Sequence, residues 1–99
     1  MNKVAKGSRV EKICSDELKA QGYITWKTIR HRFLKVDLFG LFDVVALAAD
    51  GSHMLFIQVK STRVENQVRE QVRKLRMPAI CRKWIWIRKP GKWVKEFYE

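Results

Sequence analysis

Residues 42–60 read Phe42-Asp43-Val44-Val45-Ala46-Leu47-Ala48-Ala49-Asp50-Gly51-Ser52-His53-Met54-Leu55-Phe56-Ile57-Gln58-Val59-Lys60. Two apolar runs flank Asp50-Gly51, a dipeptide that signals a two-residue hairpin turn. Strands are expected over residues 42–49 and 54–60. Polar residues interrupt both runs at the ends far from the turn: Asp43 opens the first, and Gln58 and Lys60 break the second. Gln58 and Lys60 are two apart and leave the same face of their strand. Asp43 lies seven residues before Asp50, while Gln58 and Lys60 lie seven and nine after Gly51, so the hairpin brings the three together. A carboxylate, an amide oxygen and an ammonium are thus expected at one end of a sheet. Hard oxygen donors of this kind suit Mg²⁺ or Mn²⁺, and a lysine beside metal-bound water suits phosphodiester hydrolysis.

The flanking chain supplies the rest of a sheet and two helices. Upstream, Ser8-Arg9-Val10-Glu11 fits the Ser-x-x-Glu capping box. Val10, Ile13, Cys14 and Leu18 keep the helical period as far as Gly22, a natural stop. Residues 23–32 alternate as a strand, and residues 33–41, broken by Gly40, read as a loop. After Lys60 a helix is expected from Arg63 to Leu75 or Arg76, with Val64, Val68, Val72 and Leu75 on one face and Pro78 beyond its end. Strands over 79–88 and 93–98 flank a Pro90-Gly91 turn. The order α-β-β-β-α-β-β describes a mixed sheet with helices against it and one parallel pairing across the second helix. Trp84 and Trp86 share one sheet face, a core pattern that doubles as a stacking surface for unpaired bases.

Composition narrows the class. A chain of 99 residues is expected to form one domain, residues 1–99. With 46% hydrophobic and 31% charged residues, it is too apolar for disorder and too charged for a membrane span. The residues after the basic amino end carry no apolar stretch of the signal-peptide kind. Two cysteines and two histidines exclude a Cys/His zinc finger and a disulfide scaffold, so reduced thiols and a cytoplasmic protein are expected. Lys+Arg 21 against Asp+Glu 10 gives a net charge of +11. The excess is concentrated in residues 60–99, with 12 basic and 4 acidic groups. Such a field favours a polyanion, because neutralised phosphates release counterions. Candidates for phosphate contact are Lys6, Arg9, Arg30, Arg32, Lys35, Arg63, Arg69 and Arg73, joined by Lys74, Arg76, Arg82 and Lys83.

Asp43, a hairpin, Gln58-Val59-Lys60 and a preceding helix bearing Glu11 together resemble the PD-(D/E)XK nuclease superfamily, with Gln in place of the acidic residue of its Glu-x-Lys motif. Lys6-Gly7-Ser8-Arg9-Val10-Glu11 and Val59-Lys60-Ser61-Thr62 look more specifically like archaeal-type Holliday junction resolvases. The likeness covers roughly residues 6–76. It implies an α/β, restriction-endonuclease-like α-β-β-β-α-β core. It also implies a Mg²⁺- or Mn²⁺-dependent endonuclease acting on branched DNA as a homodimer. On this resemblance Asp43 is the main metal ligand, with Glu11, Gln58 and the Val59 carbonyl beside it. Lys60 then orients the attacking water, and Glu11, Asp43, Gln58 and Lys60 form the catalytic set. The chain departs from the pattern in three places. Phe42 replaces a proline, Gln58 brings a neutral oxygen as in Mrr-like members, and Asp37 stands in a loop where the resolvases carry a serine.

Each residue also has a plainer reading. Glu11 could serve only the Ser8 capping box, Asp37 a turn, Asp43 a strand-start cap, and Lys60 a snorkelling strand end. His31 and His53 are expected at the surface, and Gln67 could face either the site or solvent. Three rival functions remain in view. They are a restriction- or repair-type nuclease, a non-catalytic basic binding module and a ribosomal-type RNA-binding protein; the last explains the charge but leaves the Asp43, Gln58 and Lys60 spacing without a reason.

Overall fold

The fold is that of a computed structural model, which describes residues 3–27, 39 and 41–98, with side chains from Arg9 onward. Its centre is the expected hairpin. Strand β2 spans Val44–Leu47 and β3 spans Met54–Lys60, antiparallel, with Leu47 facing Met54 and Val44 facing Ile57. The turn is wider than Asp50-Gly51 alone. Ala48 N–H donates to the His53 carbonyl at 3.0 Å, and Gly51 N–H donates to the Ala48 carbonyl at 2.8 Å. The Asp50 carboxylate takes the Ser52 N–H at 2.9 Å, and Gly51 sits at φ +73°. The aspartate side chain thus stabilises a longer loop in which only one residue needs a positive φ.

Around the hairpin lie α1 (Lys3–Ala20), β1 (Ile24–Lys27), α2 (Asn66–Lys74), β4 (Cys81–Lys89) and β5 (Lys92–Tyr98). They reproduce the expected α-β-β-β-α-β-β order. The five strands form one mixed sheet in the order β1-β2-β3-β4-β5, in which only the β3–β4 pairing is parallel. That pairing is the one bridged by α2, since parallel neighbours need a long crossover. Neither helix is long and apolar enough to cross a membrane.

The two helices cover opposite faces. Val10, Cys14 and Leu18 of α1 pack on Val44, Ala46, Leu55, Ile57, Val59 and Trp86. Val72 of α2 and the preceding Val64 pack with Phe42, Val45, Phe56, Ile85 and Ile87. Alternate residues of each central strand therefore belong to different cores, which is why those strands are apolar on both sides. The tryptophan pair follows the core reading: Trp86 is buried under α1 and half-buried Trp84 packs beside it.

Helix α1 starts five residues before the expected Ser8, so Ser8 lies inside the helix and does not cap it. Ala5 and Lys6 are good helix formers, and α1 runs past the capping signal although Val4 and Gly7 are not. At the other end Gly22, at φ +96°, closes the helix as expected. Its N–H donates to the Lys19 carbonyl and the Tyr23 N–H to the Leu18 carbonyl, both at 3.0 Å. This is the paired pattern that a left-handed residue after a helix makes possible.

The end of α2 depends on a residue that the charge pattern placed at the surface. Lys83 is 3% exposed, and its ammonium donates to the carbonyls of Val72 and Leu75 at 2.7 Å and of Arg73 at 3.2 Å. Burial pushes its pKa below the usual lysine value. A cation on the last carbonyls of a helix satisfies groups that have no intrahelical partner. Lys83 is therefore an internal cap and takes no part in phosphate contact. Lys83→Met, which keeps the aliphatic stem, is expected to cost about 2 kcal/mol in urea unfolding by stranding those carbonyls. A midpoint unchanged from that of the parent chain would remove the capping role.

Candidate active site

Asp43 is fully buried, with 0% exposure, and it breaks the alternation of its strand. Val44 and Ala46 face α1 and Val45 faces α2, yet Phe42 also packs on the α2 side. One extra residue therefore lies between Phe42 and Val44. The hydrogen bonding agrees: Val44 is registered opposite Ile57, but the Asp43 N–H donates to that same Ile57 carbonyl at 2.9 Å. Two residues opposite one make a β-bulge, a device that re-aims a side chain and ends a pairing. Here it turns the Asp43 carboxylate into the ladder, where its Oδ2 accepts the Val59 N–H at 2.8 Å.

Glu11 approaches from α1. It is 2% exposed and lies one turn before Cys14 and Ser15 on the helix face turned to the sheet. With α1 beginning at Lys3, Glu11 stands in the helix interior, so the capping-box reading of this residue falls. Burial, aided by the carboxylates of Glu17, Asp43 and Glu11 and opposed by Lys95, pushes the pKa of the Cys14 thiol well above the usual cysteine range. The buried thiol is thereby kept neutral and inert. Cys14, one turn after Glu11, packs in the same core as Val44 and Val59, the residues next to and bonded to Asp43, so both carboxylates lie on the α1 side of the sheet. Both carboxylates are held by partners within the protein.

Gln58 and Lys60 are brought near Asp43 along the backbone but leave β3 on the other face. They are registered with Ile85 and Ile87, both of the α2-side core, while Val59 between them belongs to the α1 side. Gln58 is buried and Lys60 half-buried. Neither makes a side-chain hydrogen bond or ion pair among the described residues. Counting from the turn gives Asp43 the face of Gln58; the bulge moves it to the face of Glu11. The site thus straddles the line where β2 parts from β3, with carboxylates on one side and the Gln-x-Lys pair on the other. Among the described residues no three His, Cys, Asp or Glu gather as a metal group. A cation held by Glu11 and Asp43 would draw further donors from amide or carbonyl oxygens.

The basic candidates divide into free and committed charges. Arg9, Arg63, Arg73, Lys74, Arg76 and Arg82 are exposed. Arg73 pairs with Glu70 one turn away. Arg69 is committed further: its Nε and Nη2 reach the two oxygens of Glu96, both at 2.9 Å, and its Nη1 reaches Asn66 Oδ1 at 3.0 Å. This fork ties α2 to β5, and Arg69 is a brace before it is a phosphate ligand. The side chain of Lys6 and residues His31, Arg30, Arg32, Lys35 and Asp37 lie outside the described part of the chain. Gln67, which on α2 could face either the site or solvent, is exposed. His53 is half-buried, against expectation, because its Nε2 meets the Tyr23 hydroxyl at 2.8 Å and its Nδ1 the Ser52 hydroxyl at 2.9 Å.

No protein-family model, curated protein or solved structure matches this chain.

The bond between Asp43 and Val59 makes a stability prediction separate from any activity. Asp43→Ala leaves the Val59 N–H without its acceptor and is expected to cost about 1–3 kcal/mol in chemical denaturation. Asp43→Asn, whose amide oxygen can still accept, is expected to recover most of that loss. Equal midpoints for the two variants would contradict this role.

Proposed function

We propose that the chain is a metal-dependent DNA endonuclease of the PD-(D/E)XK type. The observation that carries this reading is the buried Asp43, bulged into the β2–β3 ladder against Val59 on the face covered by α1, which brings a second buried carboxylate, Glu11. Two buried carboxylates in a chain of net charge +11 serve packing poorly and cation binding well. Further support comes from the framework. The helix with Glu11, the strand opening on Asp43 and the strand ending in Gln58-Val59-Lys60 follow in the order such enzymes use, and β3 runs parallel to β4 across α2.

The donor set fits a hard divalent cation. Asp43 and Glu11 would hold Mg²⁺ or Mn²⁺, with the Val59 carbonyl as a neutral oxygen donor, while the Gln58 amide, which leaves β3 on the opposite face, would not join them. Such an ion polarises a phosphodiester and makes its bound water acidic. The protein supplies the rest. Asp43 is immobilised by the Val59 N–H, so its orientation is set before substrate arrives. Lys60, half-buried and without a carboxylate partner among the described residues, binds the scissile phosphate and steadies its developing charge. The exposed arginines Arg9 and Arg63 hold flanking phosphates, whereas Arg73 pairs with Glu70 and lies over Tyr98 near the start of β4. Four-way junctions are the substrate that the resemblance favours, cut by a homodimer with one site per protomer. Free cysteines fit a reducing, cytoplasmic setting.

A second reading has an observation of its own. Gln58 is neutral and, with Lys60, projects from the face opposite Glu11, which favours a basic DNA-binding module without catalysis. A nicking assay separates the two. The chain is incubated with a four-way junction or a linear duplex of the same sequences, in Mg²⁺, Mn²⁺ or EDTA. Paired, metal-dependent nicks confined to the junction are expected. Asp43→Asn should abolish them, and Lys60→Ala should slow them by roughly a hundredfold or more. Cleavage of both DNAs would keep the chemistry and move the substrate to linear DNA, as for a restriction- or repair-type enzyme. Binding with no cleavage in either metal would leave the binding module.

A further inference from the structure

Helix α1 covers β1 to β3, and beyond Trp86 the same face of the sheet continues onto the β4–β5 hairpin. Alternation and register fix what that face carries. Arg82, Trp84, Trp86 and Arg88 project from β4, and opposite the last three stand Phe97, Lys95 and Trp93 of β5. The rings form a band of two successive pairs. Trp84 and Phe97 lie 5.1 Å apart between centroids, and Trp86 and Trp93 lie 5.3 Å apart. Cations are set into it, with Lys95 4.1 Å above the Trp86 ring and Arg88 5.1 Å above that of Trp93.

Three features of the band exceed what packing needs. Phe97 is 49% exposed, and Trp84 and Trp93 are only half-buried. The indole N–H groups of Trp84 and Trp86 have no acceptor among the described residues, a cost that leucine or phenylalanine would avoid. Carboxylates are also kept off this face of the hairpin. Glu96, the only acidic residue among the described residues of β4 and β5, turns to the α2 side and is taken by Arg69. Glu17 of α1 meets Lys95 at 3.3 Å on the helix side of the band.

We propose that this face binds an unpaired stretch of DNA, its bases stacking on Phe97, Trp84 and Trp93 and its phosphates meeting Arg82, Arg88 and Lys95. Charge complementarity selects a polyanion as the occupant. Exposed ring faces select unpaired bases, because a duplex hides its own base faces in its stack. The band is also close to the candidate active site. Trp86 is in register with Val59, the residue that Asp43 holds, so a strand laid along β4 and β5 runs beside that site. The inference does not rest on hydrolysis, since binding without metal tests it whether or not DNA is cut.

The test is fluorescence anisotropy in EDTA with the full chain, a labelled single-stranded oligo(dT) and a blunt duplex of the same length. Phe97→Ala is expected to weaken oligo(dT) binding roughly tenfold and to leave the duplex nearly unchanged, while Phe97→Trp keeps both. The exposed Arg82 gives an independent variant that does not touch the core. Arg82→Ala should flatten the salt dependence on oligo(dT) by about 0.7, the share of one single-strand phosphate contact. Equal losses on both DNAs, or none on oligo(dT), would overturn the proposal. So would self-association of the parent chain, seen by sedimentation, that Phe97→Ala abolishes, for the band would then be an interface between two copies.

Discussion

The hydrogen bond from the Val59 N–H to the Asp43 carboxylate ties the catalytic reading to the fold. At that point the β2 backbone leaves the ladder, and a side chain stands in for it. A buried carboxylate is costly unless donors surround it, so the carboxylate and the bulge that aims it depend on each other. The same bond sits between Gln58 and Lys60 in sequence and faces α1, where Glu11 is the second buried carboxylate. Sheet register, helix placement and site chemistry therefore meet at one contact of 2.8 Å.

Most of the element order was legible in the sequence because it rests on local signals. Gly22 ends α1 through its positive φ, Gly91 turns β4 into β5 the same way, and the near-continuous apolar run over Met54–Lys60 marks the central strand. The errors are those that local signals cannot see. Ser8 and Glu11 carry a capping pattern, but α1 begins upstream of it, at Lys3. Asp50-Gly51 marks the turn correctly and its width wrongly, since the Asp50 side chain stabilises the longer loop. The bulge at Asp43 is invisible to residue counting, and one residue is enough to exchange the face of the site's central side chain.

Charge was the loudest feature of the composition and the least informative residue by residue. Two of the basic candidates hold the protein together before they hold anything else: Lys83 caps α2 from inside the core and Arg69 clamps α2 to β5. Both partners lie far along the chain, 8 to 27 residues away, so spacing does not reveal them. Among the charges that remain outward, Arg82, Arg88 and Lys95 are set among the rings of the β4–β5 face.

The central claim is that Glu11 and Asp43 together hold a divalent cation. Electron paramagnetic resonance of Mn²⁺ measures this directly, because the signal of free Mn²⁺ falls as the ion is bound. Titration of the unmodified chain should remove one ion per protomer from the free pool, with Mg²⁺ competing, and Glu11→Gln and Asp43→Asn should each leave the signal of free Mn²⁺ nearly intact. A free signal that the unmodified chain does not reduce, or that both variants reduce equally well, would contradict a metal site at these carboxylates.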